Sequence, residues 1–129
     1  MTHNELTVLL TGDKLPIALK PLRTLIAAGF AHLQPTDFEA FVLELFESLS
    51  FSGTLTPATG DGGIDILLES VEGPIAIQCK KYDDNFTVGS KELREFLGAL
   101  VHAKAVRGYF VTTSLFTSQA KDFSNAITT

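Results

Sequence analysis

The stretch GDGGIDILLESVEGPIAIQCKKYDD, residues 60–84, decides the fold. Two apolar runs, at about 64–70 and 75–81, flank a turn-forming segment, a pattern typical of a β-hairpin. Asp65, Gln78 and Lys80 interrupt these runs at positions where packing alone would favour apolar residues. The hairpin therefore predicts either a cross-strand ion pair or a site that binds something.

Strand alternation indicates how these three side chains are arranged. The other residues give each strand one apolar face, which should pack on a helix, and Asp65, Gln78 and Lys80 belong to the remaining faces. A turn centred between Glu72 and Gly73 would place Asp65 opposite Lys80, unless a bulge intervenes. Opposed side chains start about 5 Å apart. The carboxylate and the ammonium can then meet, with the Gln78 amide as a diagonal neighbour.

Such a group has a possible chemistry. An aspartate is a hard oxygen ligand that suits Mg²⁺, and the backbone carbonyl of Cys79, between Gln78 and Lys80, could supply another oxygen. Lys80 could orient a water or offset charge on a phosphate. An exposed Asp65–Lys80 ion pair, worth well under about 1 kcal/mol, explains the same residues equally well.

The rest of the chain predicts helices and strands around the hairpin. The segment 36–39 reads as a capping box with a Thr36 N-cap, which would by itself account for Glu39. We expect helices at about 35–50, 88–104 and 119–127, with Ser90 as a cap of the second, and further strands at 51–56 and 109–113. Three strands would form an antiparallel meander, and the second helix would cross over to the fourth strand. This order predicts an α/β fold with a small mixed sheet.

The first 34 residues are predicted to be an accessory segment. Residues 1–14 read as loosely ordered, and 15–30 carry a helical pattern that could serve as an accessory helix or an oligomer contact. The domain division expected is therefore 1–34 for the accessory segment and 35–129 for the main domain.

Composition narrows the class of protein. The 129 residues, 45% hydrophobic and 19% charged, suit one folded domain. The single cysteine excludes an internal disulfide and fits a reducing cytoplasm, the histidines lack zinc spacing, and no apolar run reaches the roughly 18 residues of a membrane helix. The net charge of −5 argues mildly against nucleic acid. However, residues 78–107 hold six bases and four acids, a bias that from charge alone is best read as a solvated helix face.

Several segments together resemble the catalytic domain of Mrr-type restriction endonucleases, within the PD-(D/E)xK nuclease superfamily. They are GDGGIDI (60–66), QCKKY (78–82) and GYFVTTS (108–114), with helical segments at 36–39 and 88–100. The similarity covers roughly residues 35–126. It implies a restriction-endonuclease-like three-layer fold, in which helices flank a small mixed sheet.

The resemblance also implies roles for particular residues. Asp65 matches the family's metal-binding aspartate, Glu39 its helical glutamate, and Gln78 and Lys80 the Gln-x-Lys that this branch uses in place of Glu-x-Lys. We therefore expect catalytic roles for these four residues. Asp65, the Cys79 backbone carbonyl, Glu39 and Gln78 would hold Mg²⁺ or Mn²⁺. Because Gln78 replaces a glutamate, the site loses one negative charge, which leaves the number of metal ions open.

The expected function is metal-dependent endonuclease cleavage of double-stranded DNA, in restriction of foreign or modified DNA. We expect the protein to be cytoplasmic and not to bind a membrane. Asp61 is a weaker candidate for the site. The alternatives are a non-catalytic DNA-binding or interaction module on the same scaffold, or a structural oligomer. A last strand common in the family is not evident after the final helix. If that strand is absent, a sheet edge is expected to be bare, and a homo-oligomer or another domain could cover it.

Overall fold

The structure is a computed structural model that describes residues 7–11 (backbone only), 35–56, 63–80 and 87–127. The helix predicted at 15–30 and the weaker candidate Asp61 lie outside these residues. None of the helices in the described ranges is long and apolar enough to cross a membrane.

The described residues form a five-stranded mixed sheet with strand order β1-β5-β4-β3-β2. Strands β4 and β5 are parallel, and the other neighbouring pairs are antiparallel. The α/β fold with a small mixed sheet and the crossover helix between its parallel strands are confirmed. In chain order the elements are β1 (Thr7–Thr11), α1 (Pro35–Ser48), β2 (Ser52–Leu55), β3 (Ile66–Glu69), β4 (Ile75–Lys80), α2 (Ser90–His102), β5 (Arg107–Thr112) and α3 (Ser118–Ile127).

Strand β1 corrects two predictions. Residues 7–11 are a strand rather than loosely ordered chain, and β1 pairs with β5 from Thr7 opposite Thr112 to Thr11 opposite Gly108. The edge of the sheet beside β5, expected to be bare, is therefore covered by this chain's own N-terminal strand. Local sequence signals miss β1 because its partner lies near the other end of the chain.

Helices cover both faces of the sheet. On one face, α1 packs through Phe38, Val42 and Phe46 onto the hairpin and β5, where the rings of Phe46 and Tyr109 lie 5.1 Å apart. On the other face, apolar residues of α2 and α3 bury Phe110, which meets Phe96 edge-on at 5.6 Å. The predicted apolar faces of the two hairpin strands do pack beneath α1, through Ile66 and Leu68 of β3 and through Ile75, Ile77 and Cys79 of β4. The other face of β4 is also buried, which the sequence did not predict, because a central strand with helices on both sides buries both of its faces.

The hairpin turn sets a different register from the predicted one. The Ser70 carbonyl accepts the Gly73 N–H at 3.2 Å, so the turn is centred between Val71 and Glu72. Gly73 has a φ of 142°, which favours glycine. The ladder pairs Ile66 with Ile77, two residues away from the predicted register. A shift of two residues keeps the side chains of the paired residues, from Ile66 onward in β3, on their predicted faces, because two is the period of a strand.

A bulge marks the start of β3. Ile66 is the ladder partner of Ile77, yet the N–H of Asp65 also donates to the Ile77 carbonyl, at 2.8 Å. Two residues of one strand thus face one residue of the next, and a bulge of this kind re-aims a side chain. In agreement, Ile64 packs with the α2 side of the sheet and Ile66 with the α1 side, although regular alternation would put both on one face.

Two helix starts also differ from the sequence prediction. Helix α1 begins at Pro35, so Thr36 lies inside its first turn instead of capping it. Proline suits that first turn because its missing N–H has no partner there in any case. Helix α2 is capped by Gly89 rather than Ser90, and the Gly89 N–H donates to the Glu92 carboxylate at 3.4 Å.

Candidate active site

The Asp65 carboxylate is fixed by the neighbouring strand. Its Oδ2 accepts the backbone N–H of Cys79 at 2.7 Å. On the other side of Asp65, the Thr56 N–H donates to the Asp65 carbonyl at 2.9 Å, and the Thr56 hydroxyl donates to the Ile64 carbonyl at 2.6 Å. Hydrogen bonds from two neighbouring strands therefore hold Asp65 where the bulge places it.

The Cys79 carbonyl faces the Asp65 side of β4. In an extended strand the N–H and C=O of one residue point in the same direction, and the Cys79 N–H points at Asp65. The thiol itself is buried in the core beneath α1. Burial raises the pKa of this thiol well above its ordinary value, and the negative charges of Asp65 and Glu39 add to the effect. Cys79 can thus offer a carbonyl oxygen at this site, while its thiol stays protonated.

Glu39 lies on α1, one residue after the buried Phe38, and is itself half-buried. Partial burial raises the pKa of its carboxyl, the negative charge of Asp65 raises it further, and the positive charge of Lys80 lowers it. The capping interpretation loses its support because Thr36 is inside the helix. The packing of α1 on the hairpin instead brings Glu39 within electrostatic reach of Asp65 and Lys80.

The pKa of Asp65 is also raised. Burial is the main cause, and the hydrogen bond from Cys79 and the charge of Lys80 both oppose it. Two carboxylates that are partly removed from water and close enough for one to raise the pKa of the other form a site that favours a cation. The Lys80 ammonium supplies some of the positive charge that stabilises these two carboxylates.

Lys80 is the last residue of β4 and is half-buried. Its carbonyl accepts the Thr112 hydroxyl at 2.7 Å and the Thr113 N–H at 3.4 Å. Gln78 is 9% exposed, and its amide lies against Gly63, where a methyl group would come within 3.3 Å of Nε2 and 3.4 Å of Oε1. Gly63 has a φ of 99°, so both its conformation and this close approach favour glycine.

The structure thus brings three of the predicted site residues, Glu39, Asp65 and Lys80, into one electrostatic group at the ends of β3 and β4. Gln78 lies on the neighbouring part of β4, with its amide beside Gly63. Among the described residues, no three histidine, cysteine, aspartate or glutamate side chains form a cluster that could hold a metal. Any divalent cation here would therefore rest on two carboxylates and on neutral oxygens. Mg²⁺ takes only one or two carboxylates and keeps several waters, so these residues fit it.

Most of this chain is similar in sequence to a known protein family. The restriction endonuclease family profile matches residues 30–129 of this chain. The chain is 39% identical to the type IV methyl-directed restriction enzyme EcoKMrr of Escherichia coli strain K12, over 97% of its own length. The chain belongs to the Mrr-type restriction endonucleases.

Other relatives of this Mrr-type chain carry less functional information. It is 38% identical over 69% of its length to the uncharacterized protein y4cE of Sinorhizobium fredii strain NBRC 101917 / NGR234. It spans 44% of the length of EcoKMrr and 24% of the length of y4cE. A crystal structure of the protein of unknown function AF1548 shares its fold with a TM-score of 0.58 at 18% identity, covering 69% of this chain and 52% of that one.

Two residues of this Mrr-type domain that hold the candidate site were not predicted from the sequence. Thr56 bonds the segment that carries Asp65, and Thr112 bonds Lys80. Each is a threonine next to a strand end, a position where β propensity alone accounts for the residue. Only the hydrogen-bond pairing across strands distinguishes them from ordinary strand threonines.

Proposed function

We propose that this chain is a metal-dependent endonuclease that hydrolyses phosphodiester bonds of double-stranded DNA. Its membership of the restriction endonuclease family supports a nuclease role. The observation that carries the metal-dependent reaction is the Asp65 carboxylate, hydrogen-bonded to the Cys79 N–H and within electrostatic reach of Glu39 and Lys80.

The metal would be Mg²⁺ or Mn²⁺, held by Asp65, Glu39 and the Cys79 carbonyl, with the Gln78 amide oxygen in support. A divalent ion bound to these groups lowers the pKa of a coordinated water and neutralises charge on the phosphate. The fit rests on the two carboxylates with raised pKa values, since a nearby cation stabilises their charged forms. The Cys79 N–H keeps Oδ2 of Asp65 engaged and so leaves Oδ1 as the freer oxygen of that carboxylate.

Lys80 would act on the attacking water and on the phosphate. An ammonium at the strand end can hydrogen-bond the water that attacks phosphorus, and it can also offset the negative charge that develops on the phosphoryl oxygens. Gln78 would orient neighbouring groups without adding charge. Cleavage would then need Asp65 for the metal and Lys80 for the transition state, in a site already arranged by the hairpin.

Modified DNA is the substrate that the proposal favours. The E. coli relative is described as a type IV methyl-directed restriction enzyme, and the match covers nearly all of the present chain. We therefore propose restriction of foreign or methylated DNA as the biological role. The chain spans less than half of the length of that relative, so recognition of methylated DNA by this chain is a proposal, which the assay below tests.

The test is a cleavage assay on methylated and unmethylated plasmid with Mg²⁺ or Mn²⁺, run with Asp65→Ala, Lys80→Ala and the matched control Lys91→Ala. Lys91 is an exposed lysine of α2. We expect wild type and Lys91→Ala to cut, and each site variant to lose on the order of a hundred-fold or more in rate. Circular dichroism shows whether the variants are folded. Cleavage at the wild-type rate by both folded site variants would contradict the proposal.

A further inference from the structure

Thr112 has a hydrogen-bonding arrangement that the sheet alone does not require. It is the last residue of β5, its side chain is fully buried, and its hydroxyl lies 2.7 Å from the Lys80 carbonyl oxygen. The N–H of Ser114 lies 3.1 Å from the same hydroxyl. A carbonyl can only accept and an N–H can only donate, so the hydroxyl proton points to Lys80 and its lone pair to Ser114.

The hydroxyl substitutes for a ladder bond that is stretched at this end of the sheet. In the parallel pairing of β4 with β5, Lys80 lies opposite Thr112, and the backbone donor that reaches its carbonyl is the Thr113 N–H at 3.4 Å. That distance lies beyond the usual range for N–H···O bonds, whereas 2.7 Å is typical of a strong O–H···O bond. The Thr112 side chain therefore supplies the short bond that holds the end of β4 against β5.

The residue held in this way carries the positive charge of the site. The charge of Lys80 acts on both Asp65 and Glu39. A lysine side chain has four rotatable bonds, so its ammonium is placed well only when its backbone is fixed. The Thr112 bond fixes the Lys80 peptide group at the point where the strand ends and the ladder no longer does so.

We propose that Thr112 is a positioning residue for Lys80. The Thr112 hydroxyl fixes the peptide plane of the Lys80 carbonyl, and from this fixed backbone the Lys80 ammonium reaches the scissile phosphate. The inference rests on the proposed endonuclease function and deepens it. Thr112 touches neither DNA nor metal in this proposal. It acts through the Lys80 backbone, so its loss should slow the chemical step while leaving DNA binding intact.

The test compares Thr112→Val, which keeps the shape and removes the hydroxyl, with Thr112→Ser, which keeps the hydroxyl. Cleavage is measured under single-turnover conditions at saturating Mn²⁺ over a range of DNA concentrations. For Thr112→Val we expect the maximal rate to fall about ten- to a hundred-fold. Its half-saturating DNA concentration should stay within about twofold of wild type, and Thr112→Ser should keep its rate within about threefold.

A stability control separates positioning from general loosening. Phe46→Leu lowers core packing beneath α1 but leaves the hydrogen bonds of Lys80 in place, so it should cut at the wild-type rate below its unfolding temperature. If Thr112→Val does not fold, Thr112→Cys takes its place. A thiol is a weak donor, so this variant should be slower than Thr112→Ser.

Three results would overturn the inference: a Thr112→Val rate equal to wild type, a Thr112→Ser rate as low as that of Thr112→Val, or equal rates for the cysteine and serine variants. Wild type and Lys80→Ala are measured in the same series. If wild-type protein fails to cut, the endonuclease proposal falls and this inference falls with it. If wild type cuts, Lys80→Ala does not, and Thr112→Val is unaffected, only the positioning role of Thr112 is removed.

Discussion

The partly buried position of Asp65 disfavours the charged form of its carboxylate. Burial raises its pKa more than the Cys79 hydrogen bond and the charge of Lys80 lower it. Without metal, the folded protein therefore binds a proton at Asp65 more tightly than the unfolded chain does. By linkage, such a group reduces the free energy of unfolding as the pH rises through its titration. Strain of this kind, kept for function, is common in active sites.

We predict that Asp65→Asn is more stable than wild type at neutral pH, by roughly 1 kcal/mol. The asparagine oxygen can still accept the Cys79 N–H but carries no charge. The gain should be absent below the ordinary aspartate pKa of 3.8, grow as the pH rises towards the raised value of the folded protein, and stay constant above it. Urea unfolding in EDTA at several pH values measures it.

Glu95→Gln, a change at an exposed carboxylate of α2, is the matched control and should show no comparable gain. A variant at Asp65 that is less stable than wild type at neutral pH, with the Cys79 bond intact, would contradict the prediction. The outcome would mean that Lys80 and Cys79 together outweigh the cost of burying the carboxylate.

Residue identities at the site were accessible to sequence reasoning, because Asp65, Gln78 and Lys80 stand out in apolar strands. Their catalytic roles stay predictions. The supporting threonines were not accessible, since a buried threonine in a strand is ordinary until its partner is known. Glu39 was ambiguous for the same reason: a capping box and a site carboxylate look alike until the start of the helix is fixed at Pro35.

At the level of single elements, β2 approaches β3 unusually closely at Gly53. A Cβ placed on Gly53 would come within 2.7 Å of the Leu67 carbonyl oxygen and 2.5 Å of the Leu68 Cδ2. The backbone oxygen cannot move aside as a side-chain end can. Strand β2 can therefore approach β3 this closely only because residue 53 has no side chain. This close contact supports β3, the strand that follows the bulge at Asp65.

We predict that Gly53→Ala lowers the free energy of unfolding by about 1–3 kcal/mol, as overpacking does. Gly98→Ala provides the matched control, because Gly98 is in α2 with nothing within 4 Å of the added Cβ. There the same substitution should stabilise the protein by about 0.5–1 kcal/mol. Chemical denaturation of both variants measures the two effects, and a Gly53→Ala variant as stable as Gly98→Ala would refute the close-approach argument.

The elements themselves were largely predictable, whereas their register was not. Apolar periodicity located α1 and α2, and apolar runs rich in β-branched or aromatic residues located the hairpin strands and β5. The hairpin register failed by two residues because Gly73 was placed at the centre of the turn, whereas it occupies the last position. Turn type depends on backbone dihedrals that one sequence leaves undecided between neighbouring placements.

At the scale of the whole molecule, the strands at the centre of the sheet are better paired than the strand at the β2 edge. Strand β5 lies between β4 and β1, and both of its neighbours pair along its length. Among the described strands, β2 ends the sheet order with β3 as its neighbour, and most of its residues are exposed. The end of β4 that carries Lys80 is hydrogen-bonded to β5 through Thr112 and so belongs to the centre of the sheet.

We predict that backbone amides of β5 exchange with solvent at least about ten-fold more slowly than those of β2. Exchange from β5 requires the sheet to open on both sides, whereas fraying of one edge is enough for β2. Hydrogen–deuterium exchange read by NMR at individual amides measures the difference. Equal protection in the two strands would show that another part of the chain or a partner shields the β2 edge.

The global topology was the least predictable feature. The meander and crossover follow from the chain order of the elements, but β1 joins the sheet from the far end of the sequence. The five residues of β1 have moderate β propensity, and their sequence does not indicate a pairing partner so distant in the chain. A bare edge was therefore expected where the protein has a paired one.

The pairing of β1 with β5 also determines when the sheet can be completed on the ribosome. Translation adds about 5–20 residues per second. Strand β1 emerges first but must wait several seconds for β5, exposing an unpaired strand in the meantime. The β2–β3–β4 meander forms from neighbouring segments and can assemble during that interval. We therefore expect the nascent chain to be most exposed to aggregation or to proteases before β5 appears, and the pairing of β1 with β5 to be a late step of folding.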